Sequence, residues 1–280
     1  MRPVPSPPSC HDFARELVCP ECLQGLHISG QELRCAACTR LAARRRHGIT
    51  DFIGIGEAVD LGPSRGIGPR MMHSRLLARV YQRYWRPAFI AFAGGEPHDL
   101  DQEFDFIDRA LRPASDRPGG TVVDLSCGPG HAALHLHAGG LFSRVIGLDW
   151  SQAMLLQLGD ELRARDIQDL PLIRADVARL PFASGSIDGL HAGAALHLWP
   201  DPAAAAAEIG RVLRPGAGFI ASTFAHQTNP ISRSIEALIG FAHARVFFEE
   251  ELLGMFRAHG IGDLESYRRG SLIIFWGRRR

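Results

Sequence analysis

A chain of 280 residues is long enough for one large α/β domain with an appendage, and 46% hydrophobic against 22% charged residues exclude global disorder. Thirty-one basic residues against 30 acidic leave a formal net charge of +1, which excludes a domain-wide basic field for gripping nucleic acid. Every basic residue is arginine and alanine is abundant, a pattern of GC-rich codon usage rather than of arginine chemistry.

Residues 1–16 open Pro/Ser-rich and are expected to be a disordered N-terminus. The start lacks the apolar core of a secretory signal and no run of eighteen apolar residues follows, so the expectation is a cytoplasmic protein without stable membrane insertion. Residues 17–56 carry Cys19, Cys22, Cys35 and Cys38, two C-x2-C pairs separated by twelve residues. Each pair sits on a tight turn that aims two thiolates at one ion, and two such turns make the tetrahedral sulfur shell that zinc prefers. Iron is the alternative metal. Four cysteines leave no open coordination position, so the expected role is structural, in a zinc ribbon whose core is separate from the rest.

Residues 57–118 read as a linker and N-terminal lid helices, one at 71–92 and one through Phe104, Ile107 and Leu111. Tyr81, Tyr84, Trp85 and Phe89 on the first either lid a site or fill core. From residue 119 to 280 short apolar runs alternate with amphipathic ones, the pattern of a parallel sheet with crossover helices. Strands are predicted at 121–125, 144–149, 172–175, 187–192 and 218–222, helices at 131–138, 151–165, 202–212 and 249–259. An antiparallel pair at 263–267 and 271–276 closes the chain.

The first strand runs into its helix through Asp124-Leu-Ser-Cys-Gly-Pro-Gly130, a turn that brings backbone N–H groups and a helix N-terminus to a ligand. Gly128, Gly130 and Ala133 also satisfy G-x-G-x-x-A, and Asp149 lies 21 residues past Gly128, so a dinucleotide is one reading. Asp124 inside the strand favours instead a ligand with an ammonium group. Asp149, at the end of the second strand, can take both hydroxyls of a ribose, and Asp176, after the third, can accept from an adenine amine. Singly, each of the latter two is as well explained as a helix cap.

These segments resemble a class I S-adenosylmethionine-dependent methyltransferase, with VVDLSCGPG, VIGLDWS, IRADVARLPF, IDGLHAGAALHLWPDP and EIGRVLRPGAGFIAST standing as its successive motifs. Together with the cysteine pairs, the chain is similar to a group of zinc-ribbon methyltransferases of plastids and bacteria. The resemblance implies a seven-stranded, doubly wound, Rossmann-like α/β sheet behind the zinc ribbon. It implies S-adenosylmethionine bound by Asp124, Ser126, Cys127, Gly128, Gly130, Asp149 and Asp176, with Trp150 and Val177 beside the adenosine. Ser126 departs from the family, which has glycine there, and a serine narrows the allowed dihedrals.

Methyl transfer needs in-line placement, and a base only where the nucleophile carries a proton. His197, in the segment after the fourth strand, is the candidate general base; its alternative is packing on Trp199 or bonding to backbone. His191 in an apolar strand, and His131, His135 and His137 on a helix, read as structural. Phe241, Phe247 and Phe248 either wall an apolar pocket or fill the flank of the sheet. The implied acceptor is a small apolar or aromatic molecule, a quinone or polyketide-like product of secondary metabolism. Ribosomal RNA is the alternative, since one group of guanine methyltransferases also carries a zinc ribbon and Arg40, Arg44, Arg45, Arg46, Arg65 and Arg70 can meet phosphates. A third reading keeps the fold for binding or for a cyclase-like reaction without methylation.

Overall fold

The computed structural model describes residues 17–54, 99–112, 119–226 and 245–280. The expected disordered N-terminus, the helix at 71–92 with its aromatics, Arg65, Arg70 and Phe241 lie outside the described residues.

Four short strands come first, β1 (Leu26–Ser29), β2 (Glu32–Cys35), β3 (Leu41–Arg46) and β4 (Ile49–Asp51), then α1 (Asp99–Leu111). There follow β5 (Thr121–Leu125), α2 (His131–Gly139), β6 (Arg144–Asp149), α3 (Gln152–Ala164), β7 (Leu172–Arg174), β8 (Ile187–Ala192), α4 (Pro202–Val212) and β9 (Leu213–Phe224). The last elements are α5 (Glu249–Ala258), β10 (Ile261–Arg269) and β11 (Leu272–Arg279). The strands form one sheet in the order β1-β2-β3-β4-β7-β6-β5-β8-β9-β11-β10. The seven strands from β7 to β10 are the expected doubly wound sheet, with β11 antiparallel between β9 and β10.

The central strands are mostly apolar because both faces are covered. Val122 packs with Ile107 of α1, Leu136 of α2 and Leu155 and Leu158 of α3. Its neighbours Val123 and Leu125 point the other way, into a core shared with Ala205 and Ile209 of α4 and Leu252 and Phe256 of α5. Helix starts follow from capping. Ser151 accepts from the Met154 N–H at the head of α3, and Asp201 accepts from Ala203 and Ala204 at the head of α4, where Pro202 takes the first helical position.

The ribbon does not have a separate core. Leu17, Leu33 and Ala43 are buried in the same cluster as Val123 and Phe182. β4 pairs in parallel with β7, Ile49 opposite Leu172 and Asp51 opposite Arg174. β7 would otherwise present an open sheet edge, and the four ribbon strands cover it. Among the described residues no helix is long and apolar enough to cross a membrane.

Candidate functional site

At the end of β5 the chain turns through Ser126, Gly128 and Gly130, all with positive φ, at 59°, 54° and 90°. This zigzag folds the loop over the head of α2, and Cys127 anchors it by donating its N–H to the Leu148 carbonyl of β6 at 3.0 Å. A Cβ on Gly130 would lie 2.3 Å from Leu158 Cδ1, so glycine there is a packing requirement. A Cβ on Gly128 would meet nothing within 4 Å, so the face of the loop above it is open. Such a cradle fits the methionine end of S-adenosylmethionine.

Asp149 ends β6 beside this loop. Its Oδ2 accepts from the Gly128 N–H at 2.8 Å and its Oδ1 from the Ser151 N–H at 2.7 Å. Each oxygen keeps a further lone pair, which is what a ribose diol requires. Burial raises its pKa to about 6, with the Asp124 charge adding, against the lowering effect of those two N–H groups and of Arg174. The next residue, Trp150, is half-buried, and its carbonyl accepts from Arg174 Nε at 2.9 Å. Asp176, half-buried past β7, accepts from the Ala178 N–H at 2.9 Å and is followed by buried Val177. The strand order β7-β6-β5 thus brings Asp176, Asp149 and the glycine loop to adjacent carboxyl ends.

Asp124 is placed differently from the expectation. It is 1% exposed, its Oδ2 accepting from the Ala133 N–H at 2.9 Å and its Oδ1 facing His191 Nδ1 at 2.7 Å. Parallel pairing sets Asp124 opposite His191 in β8, so the two polar groups satisfy each other between the sheet and α2. The carboxylate clasps the loop to its helix rather than opening toward an ammonium group. Cys127 is buried as well, and burial holds its thiol well above the ordinary range, so it contributes backbone rather than sulfur.

Ser126 holds its left-handed backbone with a partner in place. Its Oγ accepts from Trp199 Nε1 at 3.0 Å, tying the glycine loop to the segment after β8. That segment bends at Ala194, φ 48°, whose N–H is held by Ser222 Oγ at 2.8 Å. His197 follows in a single 3-10 turn, Leu196–Leu198, buried and edge-on to Phe224 at 4.7 Å between ring centres. Burial lowers its pKa to about 3. The ring is therefore neutral at physiological pH and a weak proton acceptor, which favours packing over general base.

The four cysteine sulfurs lie within 4.8 Å of one another, with Cys22–Cys35 at 3.3 Å, Cys22–Cys38 at 3.9 Å and Cys19–Cys38 at 4.0 Å. Tetrahedral zinc with bonds of about 2.3 Å needs sulfurs roughly 3.8 Å apart, so the set fits that ion. The Cys38 N–H points at the Cys35 sulfur at 3.4 Å, and this bond leads in lowering the Cys35 thiol to about 6. Of the arginines beside it, Arg44 meets Glu32 at 3.2 Å and is not wholly available to phosphate.

Arg211, Glu208, Asp51 and Arg174 escaped the sequence reading. Arg211 donates to the Phe182 and Leu180 carbonyls at 2.7 and 3.0 Å, and Glu208 accepts from the Leu180 N–H at 2.7 Å, so α4 brackets the loop after Asp176. Asp51 and Arg174 form a buried ion pair at 3.1 Å between ribbon and sheet. His135 and His137 pair with Asp108 and Asp169 at 2.9 and 3.0 Å, which gives both histidines structural work. Phe247 is buried, whereas Phe248 is 64% exposed against His226.

The family described as "Methyltransferase domain" matches residues 123–221, the stretch that holds the loop, all three acids and His197. An uncharacterised chloroplastic methyltransferase of Arabidopsis thaliana is 34% identical over 277 residues, covering 95% of this chain and 76% of that protein. The demethylmenaquinone methyltransferase of Lactococcus lactis is 32% identical over 124 residues, 44% of this chain and 49% of its own. Among solved structures the (4+2)-cyclase SpnF superposes with a TM-score of 0.56 at 19% identity, covering 73% of this chain and 96% of that one, and shares the fold. The expectation of a cytoplasmic protein is corrected here, because the relatives that match nearly the whole chain are named chloroplastic. With a relative of this identity covering 95% of the chain, the chain belongs to the class I S-adenosylmethionine-dependent methyltransferases.

Proposed function

We propose that the protein methylates a small apolar acceptor of the quinone or aromatic class. S-adenosylmethionine supplies an electrophilic methyl group on a sulfonium ion. Asp149 would take the ribose hydroxyls, Asp176 the adenine amine, and Trp150 and Val177 the faces of the base. The loop 126–130 would receive the methionine end, with Gly128 giving the close approach, while Asp124 keeps the loop in place from below.

The observation that carries the acceptor class is the neutral, buried character of the segment after β8. His197 is uncharged, buried and set against Phe224, and Trp199 is buried with its indole N–H spent on Ser126. Such a segment offers a poor proton acceptor, which suits a nucleophile already ionised, such as a phenolate or the ring carbon it activates. The partial similarity to demethylmenaquinone methyltransferases points the same way. The cysteine set would hold a structural zinc.

Isothermal titration with S-adenosylmethionine, then incubation of labelled cofactor with quinols, phenols and total RNA, tests the reading. Label in the organic fraction supports it. Label in RNA alone, or none after cofactor binding, would replace it with the corresponding alternative.

A further inference from the structure

The ribbon grips the sheet domain at two places, and both lie beside the cofactor segments. At the first, β4 ends in Asp51, whose Oδ1 accepts from the Ile53 and Gly54 N–H groups at 2.9 and 2.7 Å while Oδ2 meets Arg174 Nη1 at 3.1 Å. The turn closes over this pair so tightly that a Cβ on Gly54 would sit 2.5 Å from Asp51 Oδ2. Arg174 passes the contact on, donating from Nε to the Trp150 carbonyl, and the Phe52 N–H returns to the Arg174 carbonyl at 2.8 Å. At the second, Glu21, inside the first C-x2-C turn, meets Arg179 at 2.9 Å. The Arg179 N–H closes the Asp176 turn at 3.0 Å, and Val18 donates to the Pro181 carbonyl at 3.1 Å.

We propose that Arg174, held by Asp51 of the ribbon, is a positioning residue for the cofactor, fixing the Trp150 carbonyl and the neighbouring Asp149 carboxylate for the adenosine half of S-adenosylmethionine. This rests on the reading of Asp149 and Trp150 as ribose- and adenine-facing. Buried charge makes the arrangement demanding: Arg174 is 5% exposed and Asp51 7%, and either one alone would be an unpaired ion in the core. The groups facing Asp149 are Asp124 on β5, whose other face meets His191 on β8, Cys127 and the Gly128 N–H on the loop, the Ser151 N–H, and Arg174 on β7. Arg174 is the cation in that set that favours the ionised carboxylate. An apolar residue there would remove both the brace on Trp150 and that charge.

The experiment measures S-adenosylmethionine affinity of the full chain by titration calorimetry between pH 5 and pH 8. The paired replacement Asp51→Leu with Arg174→Met exchanges the ion pair for apolar groups, a change that folds well when volume is kept. It is expected to bind about three- to tenfold more weakly at neutral pH, the loss of one buried hydrogen bond. The pH at which affinity fails should also move up by about half a unit or more, which a purely structural role would not produce. Wild-type affinity with an unmoved midpoint overturns the proposal. Should the pair not fold, Arg174→Lys decides: it keeps the charge and loses the Nε bond, so affinity should drop with the midpoint in place, and unchanged affinity overturns the proposal. Asp149→Asn, run alongside, separates the premises, because unchanged binding in that variant rejects the site assignment itself, whatever Arg174 does.

Discussion

In the proposed site Asp149 would accept ribose hydroxyls best when ionised, and burial raises its pKa to about 6. The competent fraction at pH 7.5 is nearly complete, but one unit below the pKa only about a tenth of the carboxyl is ionised, so the apparent dissociation constant at pH 5 should rise about tenfold. Asp149→Asn removes the charge and, because an amide cannot accept at both ends, also loses one of the bonds from Gly128 or Ser151. Losing one charge-assisted bond of about 1.5 to 3 kcal/mol should weaken binding about 10- to 150-fold at pH 7.5 and leave the remaining affinity flat down to pH 5. Calorimetric titration of both proteins across that range gives the answer. A wild-type affinity constant from pH 7.5 to 5, or an asparagine variant that keeps the wild-type midpoint, refutes the assignment of Asp149 to the ribose. The stability of the free protein supplies a second check with its sign fixed. A raised carboxyl pKa makes protonation favour the folded state as pH falls from about 6 toward 3.8, whereas the depressed His197 pKa makes folding lose ground from 6.5 toward about 3. Asp149→Asn should therefore steepen acid unfolding, because it removes the opposing contribution.

His197→Ala should raise the acceptor KM and lower kcat by less than about tenfold, with the acid side of the pH–rate profile unmoved; a loss of about 10² to 10⁴ in kcat together with a vanished acid limb would make it the general base after all. Metal analysis should find one zinc per chain, and chelation should lower the unfolding midpoint of the whole chain in one transition, since Leu17, Leu33 and Ala43 share the main core; two separated transitions would contradict that shared core. Gly130→Ala, strained at φ 90° and driven into Leu158, should lose about 1 to 3 kcal/mol or more in denaturant unfolding, whereas Gly128→Ala, whose Cβ faces open space, should lose cofactor affinity beyond its smaller loss of stability. Equal behaviour of the two glycine variants would mean that the open face over Gly128 is not where the cofactor lies.

What the sequence could tell about this site depended on how far apart the partners stand along the chain. The strand Thr121–Leu125 and the turn after it were readable because a short, largely apolar run, two glycines and a helix start are local signals. The alternation of such runs with helices announced a parallel sheet, its seven strands came from the family resemblance, and their order came from the structure. Ser126 looked like a strained departure until Trp199, 73 residues later, supplied an N–H that would otherwise be buried without a partner; the serine and the indole satisfy each other, and neither is explained alone. The ion pair of Asp51 and Arg174 spans 123 residues and two units read as independent, so nothing near either residue announced it.

Asp124 is the instructive middle case. An acid within an apolar strand has two physical outcomes, a place at the ligand face or a buried partner, and reading β5 alone cannot choose between them. His191 was the available clue: a second polar side chain in a second apolar strand, at the same depth below its carboxyl end, and parallel pairing of β5 with β8 sets the two opposite each other. The same carboxylate takes the Ala133 N–H, one of the four at the head of α2 that the helix itself cannot satisfy. A single buried group thus closes the accounts of a strand, a neighbouring strand and a helix terminus. Its effect on the proposed cofactor site would be carried by the shape of the loop above it, and by its charge, which adds to burial in raising the Asp149 pKa.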